Sequence, residues 1–434
     1  MTTSLSPQAE GIVGDIEHFL LELIASLQPD RGPARRSGPG RPRILPEMCL
    51  WGALLVCVLR GLTHQLTIWR LLAKSGLWSY PRFPVTDQAV YNRLGSAGSA
   101  ALLLLFERVT AVLRERLAPY MRTNLATFAS KVFALDAMTL DQIARLLPSL
   151  RAVPPGDERL LPGKMIGLFD IRRQQWHKVQ HVADPYQNDK VTARDMVAAL
   201  PRRSLILADL GYFAFAWFDD LTDQGYYWLS RLRSKTSYTV QHVFYQTEDI
   251  FDALVWLGAY RADKAAHLVR LVTLRVGTST YSYITNVLQP EMFPASEIAQ
   301  VYARRWDIEL AFKMLKQHLK LHLWWSAKPV VIEQQLWAAL IIAQILHALQ
   351  VEIAARAGVE IFDVSLQLLV EWAPQCAADG EDVVTIFVER GRALGFIRPS
   401  TRLRPQATAI PPEMIIPCPP DLVLVRQPRY AHRE

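Results

Sequence analysis

Two short, wholly apolar runs each end on an aspartate: Val132-Phe133-Ala134-Leu135 leads into Asp136, and Leu205-Ile206-Leu207-Ala208 leads into Asp209. Apolar runs of this length without helical spacing read as buried strands. A sheet built on them carries two carboxylates at its rim, just beyond the last buried residue, where a cleft opens. Taken singly, an aspartate after a strand is an ordinary turn residue or helix cap. Further strands are expected at Lys164–Phe169, Trp176–Val182, Tyr226–Arg231, His267–Val276 and Thr280–Val287, with a helix at Val191–Leu200 and a short helical stretch at Thr247–Leu257. Pro294 and Ser296 introduce a long helix to about residue 320. Residues 126–328 therefore read as an α/β domain, a mixed sheet flanked by helices with a β-rich insertion at about 236–287.

The flanks read as helical. Residues 9–27 place Ile12, Ile16, Phe19, Leu20 and Leu23 on one face, and helices follow at 45–59, 66–75, 85–94 and 98–118, with Thr86 as an N-cap. This makes 1–125 an all-α N-terminal domain. The helix after Thr86 offers Gln88, Tyr91, Asn92 and Arg93, types that suit base edges and phosphates as well as an ordinary solvated surface. Between residues 31 and 43 five arginines, Arg41 and Arg43 among them, stand without an acid in a Pro/Gly-rich linker suited to a phosphate backbone. Residues 329–434 read as a helical C-terminal region ending in a loosely held, Pro-rich tail from 402.

Composition narrows the class. Half of the 434 residues are hydrophobic, enough for large cores, and the net charge of +7 is compatible with a polyanionic partner. Four scattered cysteines without a CxxC pair point to a reducing compartment and away from structural zinc. The apolar runs Met48–Leu59 and Leu336–Leu349 fall short of the roughly 20 residues of a membrane span, and the N-terminus lacks a signal-peptide layout, so no membrane and no export are expected.

A third acid comes from the long helix. Tyr302, Arg305, Glu309 and Lys316 fall within a helical arc of roughly 60°, with Lys313 beside them and Ile308, Ala311, Leu315 and Leu319 on the adjoining arc. Such a stripe is either a solvated face with an Arg305/Glu309 pair or an acid flanked by phosphate-binding cations. Three converging carboxylates suit hard cations such as Mg2+, and two ions about 4 Å apart can act on a phosphodiester. No GxxxxGK[ST] loop or dinucleotide fingerprint is present.

These residues resemble the DDE insertion-sequence transposases of the IS4 type. The resemblance rests on a Tyr-x2-Arg-x3-Glu-x6-Lys signature at Tyr302, Arg305, Glu309 and Lys316, on Leu135-Asp136-Ala-Met-Thr139-Leu, and on Ala208-Asp209-Leu-Gly211-Tyr212-Phe213. It implies a ribonuclease-H-like core whose catalytic acids Asp136, Asp209 and Glu309 hold two Mg2+ ions, with Mn2+ able to substitute. It also implies binding of terminal inverted repeats and target DNA, strand cleavage with 3′-OH transfer, and a homodimer on DNA in the bacterial cytoplasm at the nucleoid. Tyr302, Arg305, Lys313 and Lys316 would meet DNA. Tyr281, on the same strand face as Tyr283, would stack on a displaced base or pack in the core. The alternatives are a catalytically silent, domesticated DNA-binding regulator and a metal-dependent nuclease without joining.

Overall fold

A computed structural model describes residues 44–75, 82–121, 125–140, 151–154, 163–182, 184, 186–258, 264–326, 328–401 and 409–426. The expected helix at 9–27 and linker residues Arg41 and Arg43 lie outside the described residues. In chain order the helices α1 (Glu47–Leu59), α2 (Gln65–Arg70), α3 (Asp87–Ala97) and α4 (Ala100–Leu117) precede the strands β1 (Val132–Thr139), β2 (Lys164–Asp170) and β3 (Gln175–Val182). Next come α5 (Asp189–Ala198), β4 (Leu205–Ala208), α6 (Phe215–Asp223), β5 (Tyr227–Arg231), β6 (Tyr238–Gln246), β7 (Ile250–Leu257), β8 (Val269–Val276) and β9 (Ser279–Thr285). The chain continues through α7 (Ala295–Ala303), α8 (Trp306–Lys313), α9 (Pro329–Ala357), α10 (Leu366–Asp379) and α11 (Val383–Arg390).

The fold is mixed α/β, with nine strands in one sheet ordered β3-β2-β1-β4-β5-β9-β8-β7-β6. β1 and β5 pair in parallel with β4, while β9 meets β5 antiparallel and β6 to β9 continue antiparallel. The β-rich insertion thus extends the central sheet through β9. Ile166, Leu168, Ile206, Trp217, Phe218 and Trp228 are all buried in the main core, with the Phe218 and Trp228 rings stacked at 4.2 Å. Each such side chain contributes roughly 1.5–3 kcal/mol on burial.

Three elements differ from expectation. Thr247–Leu257, expected to hold a short helical stretch, instead forms the end of a hairpin and β7. Cross-strand pairing decides: Asp252 inside the apolar run is buried against Arg270 of β8, an ion pair that no local periodicity reveals. The long helix from 294 is broken at Arg304 and Arg305 into α7 and α8 and passes into a π-helical turn at Met314–His318, so its angular spacing is not that of one continuous helix. The tail is not loose throughout. Ile416 N donates to Phe244 O at 2.9 Å and Leu268 N to Leu424 O at 2.8 Å, while Ile415 and Leu422 pack against Phe244, Leu254, Trp256 and Leu268.

Backbone contacts divide the chain into a helical unit (Met1–Tyr120, Thr139–Gly163, Ala311–Thr401) and a sheet unit (Met121–Met138, Lys164–Leu310, Arg402–Glu434). In the helical unit α9 packs on α1 and α4, so helices from both ends of the chain share a core. At 29 residues α9 is long and apolar enough to cross a membrane, longer than the apolar run within it suggested, but it is buried among other helices. Two of its buried polar side chains are matched inside the protein: Gln344 Nε2 donates to Thr110 Oγ1 at 2.7 Å, and Glu352 meets Arg116 at 2.9 Å. That is the pattern of a core helix.

Candidate active site

Register brings the first two acids together. In the parallel β1/β4 pair Leu135 stands opposite Ala208, so Asp136 and Asp209 are the residues that follow this last pair, the second just past the end of β4. Residues at equal register in a sheet share a face. Asp136 still lies within β1, and the Ala137 N–H donates to its Oδ1 at 2.8 Å. Asp209 is the extended residue at the start of the 3₁₀ turn Leu210–Tyr212.

The third acid arrives from α8. Tyr302, at the end of α7, is buried, and its hydroxyl donates to Ala208 O at 3.5 Å, one residue before Asp209. The start of α8 is pinned by the buried carboxylate of Asp307, which accepts from Arg304 Nε at 2.7 Å and from Gln174 Nε2, on the β2–β3 turn, at 2.8 Å. Glu309 follows half a turn later. Arg305 Nη2 donates to Glu309 Oε1 at 2.5 Å, and its Nη1 is 4.0 Å from Asp136 Oδ2.

Electrostatics report the same convergence. Burial pushes the Asp136 carboxyl up to about 6, a rise opposed by the Ala137 N–H and Arg305 and reinforced by the like charges of Glu309 and Asp209. Burial raises the Tyr302 hydroxyl to about 12, with Asp209 adding to the rise and Arg305 opposing it. Arg305 is itself held above its ordinary value: burial alone would lower it, but Glu309, Tyr302 and Asp209 more than compensate.

Oxygen donors of this kind fit a hard divalent cation by chemistry. As the side chains lie, however, no group of three His, Cys, Asp or Glu residues among the described residues has metal-holding geometry. The Arg305 guanidinium lies among these acids, bonded to Glu309 and 4.0 Å from Asp136.

The remaining expected site residues are distributed as follows. Tyr283 is buried with its ring 5.2 Å from that of Tyr302, so this face of β9 looks toward α7; Tyr281 is half-buried with the Arg231 guanidinium 5.7 Å from its ring centre. Lys313 is exposed at the end of α8, and Lys316 is half-buried on the π-helical turn; both belong to the helical unit. On α3 Thr86 caps the helix by accepting from Ala89 N at 3.2 Å. Gln88 and Asn92 are exposed and bonded to each other at 2.9 Å, and Arg93 stands 4.0 Å from Glu47. Sequence reasoning missed Arg231, which the basic run Arg231-Leu-Arg233-Ser-Lys235 at the end of β5 could have signalled. It also missed Trp306, which is 54% exposed with the Arg305 guanidinium 5.3 Å from its ring.

Residues 161–345 match the family described as Transposase DDE domain. Asp209 and Glu309 fall inside that span and Asp136 precedes it. The protein y4zB of Sinorhizobium fredii, classed by its name with the transposases, is 28% identical over 183 residues, covering 40% of this chain and 49% of its own. The transposase of insertion sequence element IS231F from Bacillus thuringiensis is 23% identical over 274 residues, 51% of this chain and 57% of its own. Transposase InsG of insertion sequence element IS4 from Escherichia coli is 27% identical over 177 residues, 34% of this chain and 35% of its own. The chain thus spans about half the length, or less, of these relatives. With residues 161–345 matching the Transposase DDE domain and these relatives all insertion-sequence transposases or classed with transposases, the chain is similar to the DDE transposases of the IS4 type.

Proposed function

We propose that this chain is the transposase of an insertion sequence, acting through a ribonuclease-H-like core. The observation that carries the reading is the β1/β4 register: it sets Asp136 beside Asp209, and α8 adds Glu309 through the Arg305 bridge. In this reading the three carboxylates hold Mg2+, with two ions and Mn2+ as a substitute, as the divalent-metal dependence general to the family suggests. Bound there, the metal would supply Lewis-acid stabilisation to an in-line displacement at phosphorus. Asp136 must be ionised to serve, which its raised value makes a condition on pH. Arg305, released from Glu309, would meet a phosphate oxygen, and Tyr302 holds α7 against the end of β4, just before Asp209.

Hydrolysis of the phosphodiester at the element's end frees a 3′-OH. That hydroxyl then attacks a target phosphodiester, whose bridging oxygen leaves. The exposed residues Gln88 and Asn92 with Arg93 on α3, and Arg41 and Arg43 before α1, read the terminal inverted repeats. Lys313 and Lys316 contact the DNA backbone, and Tyr281 meets a base near the cut. The protein works as a homodimer holding two ends, at the nucleoid of a bacterial cytoplasm.

The test is a cleavage and joining assay on labelled element ends, with Asp136→Asn, Asp209→Asn and Glu309→Gln beside the wild type. Each variant is expected to lose cleavage while still binding the ends. Near-wild-type cutting by any of them removes that residue from the site. Cutting without joining identifies a nuclease, and binding without cutting by the wild type identifies a regulator.

A further inference from the structure

A set of cations lies apart from the α7/α8 stripe. Lys190 and Arg194 are one turn apart on α5, and Arg233 follows β5. Lys190 Nζ donates to Phe213 O at 3.4 Å and Arg233 Nη2 to Leu210 O at 3.0 Å, so cations from two separate elements flank the turn that directly follows Asp209. The Arg233 guanidinium also lies 5.0 Å from the centre of the Phe213 ring. Arg194 is exposed and pairs with Asp220 at 2.9 Å.

Holding two carbonyls in a turn requires only neutral donors. Here three cations are gathered instead, and the gathering is unfavourable: burial, with repulsion from Arg233 and Arg194, holds the Lys190 ammonium below its ordinary value. Arg231, on the same basic run, carries the positive surface on to Tyr281. An anionic ligand lying along these side chains would relieve that repulsion.

We propose that Lys190, Arg194 and Arg233 form a grip for the phosphodiester backbone of a DNA strand, holding it against the 210–213 turn beside Asp209. This rests on the transposase reading and adds a second set of strand contacts, on residues separate from Arg305, Lys313 and Lys316. Arg194 joins the grip by exchanging Asp220 for a phosphate.

The experiment measures affinity of the full chain for a labelled random-sequence duplex over a range of KCl, in chelator so that no strand is cut. Lys190→Gln and Arg233→Gln keep a neutral donor for the turn carbonyls and remove only charge. Arg194→Ala touches neither carbonyl, and Asp220→Asn frees Arg194. Each of the first three is expected to reduce the log–log salt slope by about 0.9, which weakens binding roughly eightfold at about 0.1 M salt relative to about 1 M. Asp220→Asn is expected to tighten binding. If the wild type binds with a steep salt slope and the four variants match it, the cations serve the turn alone and the grip is overturned. If the wild type shows no salt-dependent binding, the DNA reading fails and the grip with it.

Discussion

Arg305 Nη2 lies 2.5 Å from Glu309 Oε1 while Nη1 of the same guanidinium stands 4.0 Å from Asp136 Oδ2. One buried side chain, 5% exposed, therefore bridges the helix acid and a strand acid, and its Nε and Nη1 make no hydrogen bond among the described residues. Arg305 acts as an internal counter-cation for an acidic cluster that would otherwise repel itself.

Arg305→Ala should therefore destabilise the metal-free protein. Removing one partner of a buried pair costs about 3–5 kcal/mol, and since Glu309 is a third exposed, about 1–3 kcal/mol is expected here. Mg2+ or Mn2+ should then recover more thermal stability in the variant than in the wild type, because no guanidinium competes for Glu309. Melting curves in chelator and in divalent salt measure this; equal melting temperatures in chelator would show that Arg305 neutralises nothing.

Asp136 carries a pH dependence of defined sign. Its folded-state value is raised from 3.8 to about 6, so the folded protein holds the proton more tightly than the unfolded chain. The stabilisation is complete below about pH 4 and is lost as pH rises to 6, a change of about 3 kcal/mol at most. In chelator the wild type should lose stability across that window, and Asp136→Asn should lose much less. Divalent-cation affinity should fall below pH 6, where protons compete for the same oxygens. Denaturation at pH 4, 5, 6 and 7 tests both, and parallel curves for wild type and variant would count against the assignment.

How much of this was legible beforehand follows from which interactions are local. The tetrads before Asp136 and Asp209 mark strands because their burial shows in composition, and Thr86 marks a helix start because capping is a three-residue event. The register that makes those aspartates neighbours is non-local, so the residues alone place both only at the rim of a sheet. The break at Arg304 and Arg305 was hidden because Asp307 is held by Gln174 from a distant turn. The Lys190/Arg233 pair was hidden for the same reason: it meets at a turn belonging to neither residue's own element.

Gly167 in β2 is a packing requirement. A Cβ built there would lie 2.6 Å from Cζ3 of Trp176, a fully buried side chain of β3. Neither strand can shift without disturbing the antiparallel ladder they share. Gly167→Ala should cost about 1–3 kcal/mol by overpacking, with the loss seen as a lower denaturation midpoint. A midpoint at or above wild type would mean that the indole has room to move.

The last prediction concerns the ion pair that defeated the helical reading of residues 247–257. Arg270 Nε and Nη2 donate to the two Asp252 oxygens at 2.7 and 2.6 Å, and Nη1 donates to Phe293 O at 2.6 Å, just before α7. Both side chains are essentially inaccessible to water. Truncating one member strands the other's charge, so Asp252→Ala should cost about 3–5 kcal/mol, whereas replacing both by Asp252→Leu with Arg270→Met should be near neutral. The link to Phe293 adds a functional consequence, since it ties the insertion strands to the segment that launches α7 and α8. Asp252→Ala should therefore lower end cleavage beyond what its unfolded fraction explains, measured at a temperature where the variant remains folded. Loss of stability without that extra loss of cleavage would confine the pair to holding β7 and β8 together.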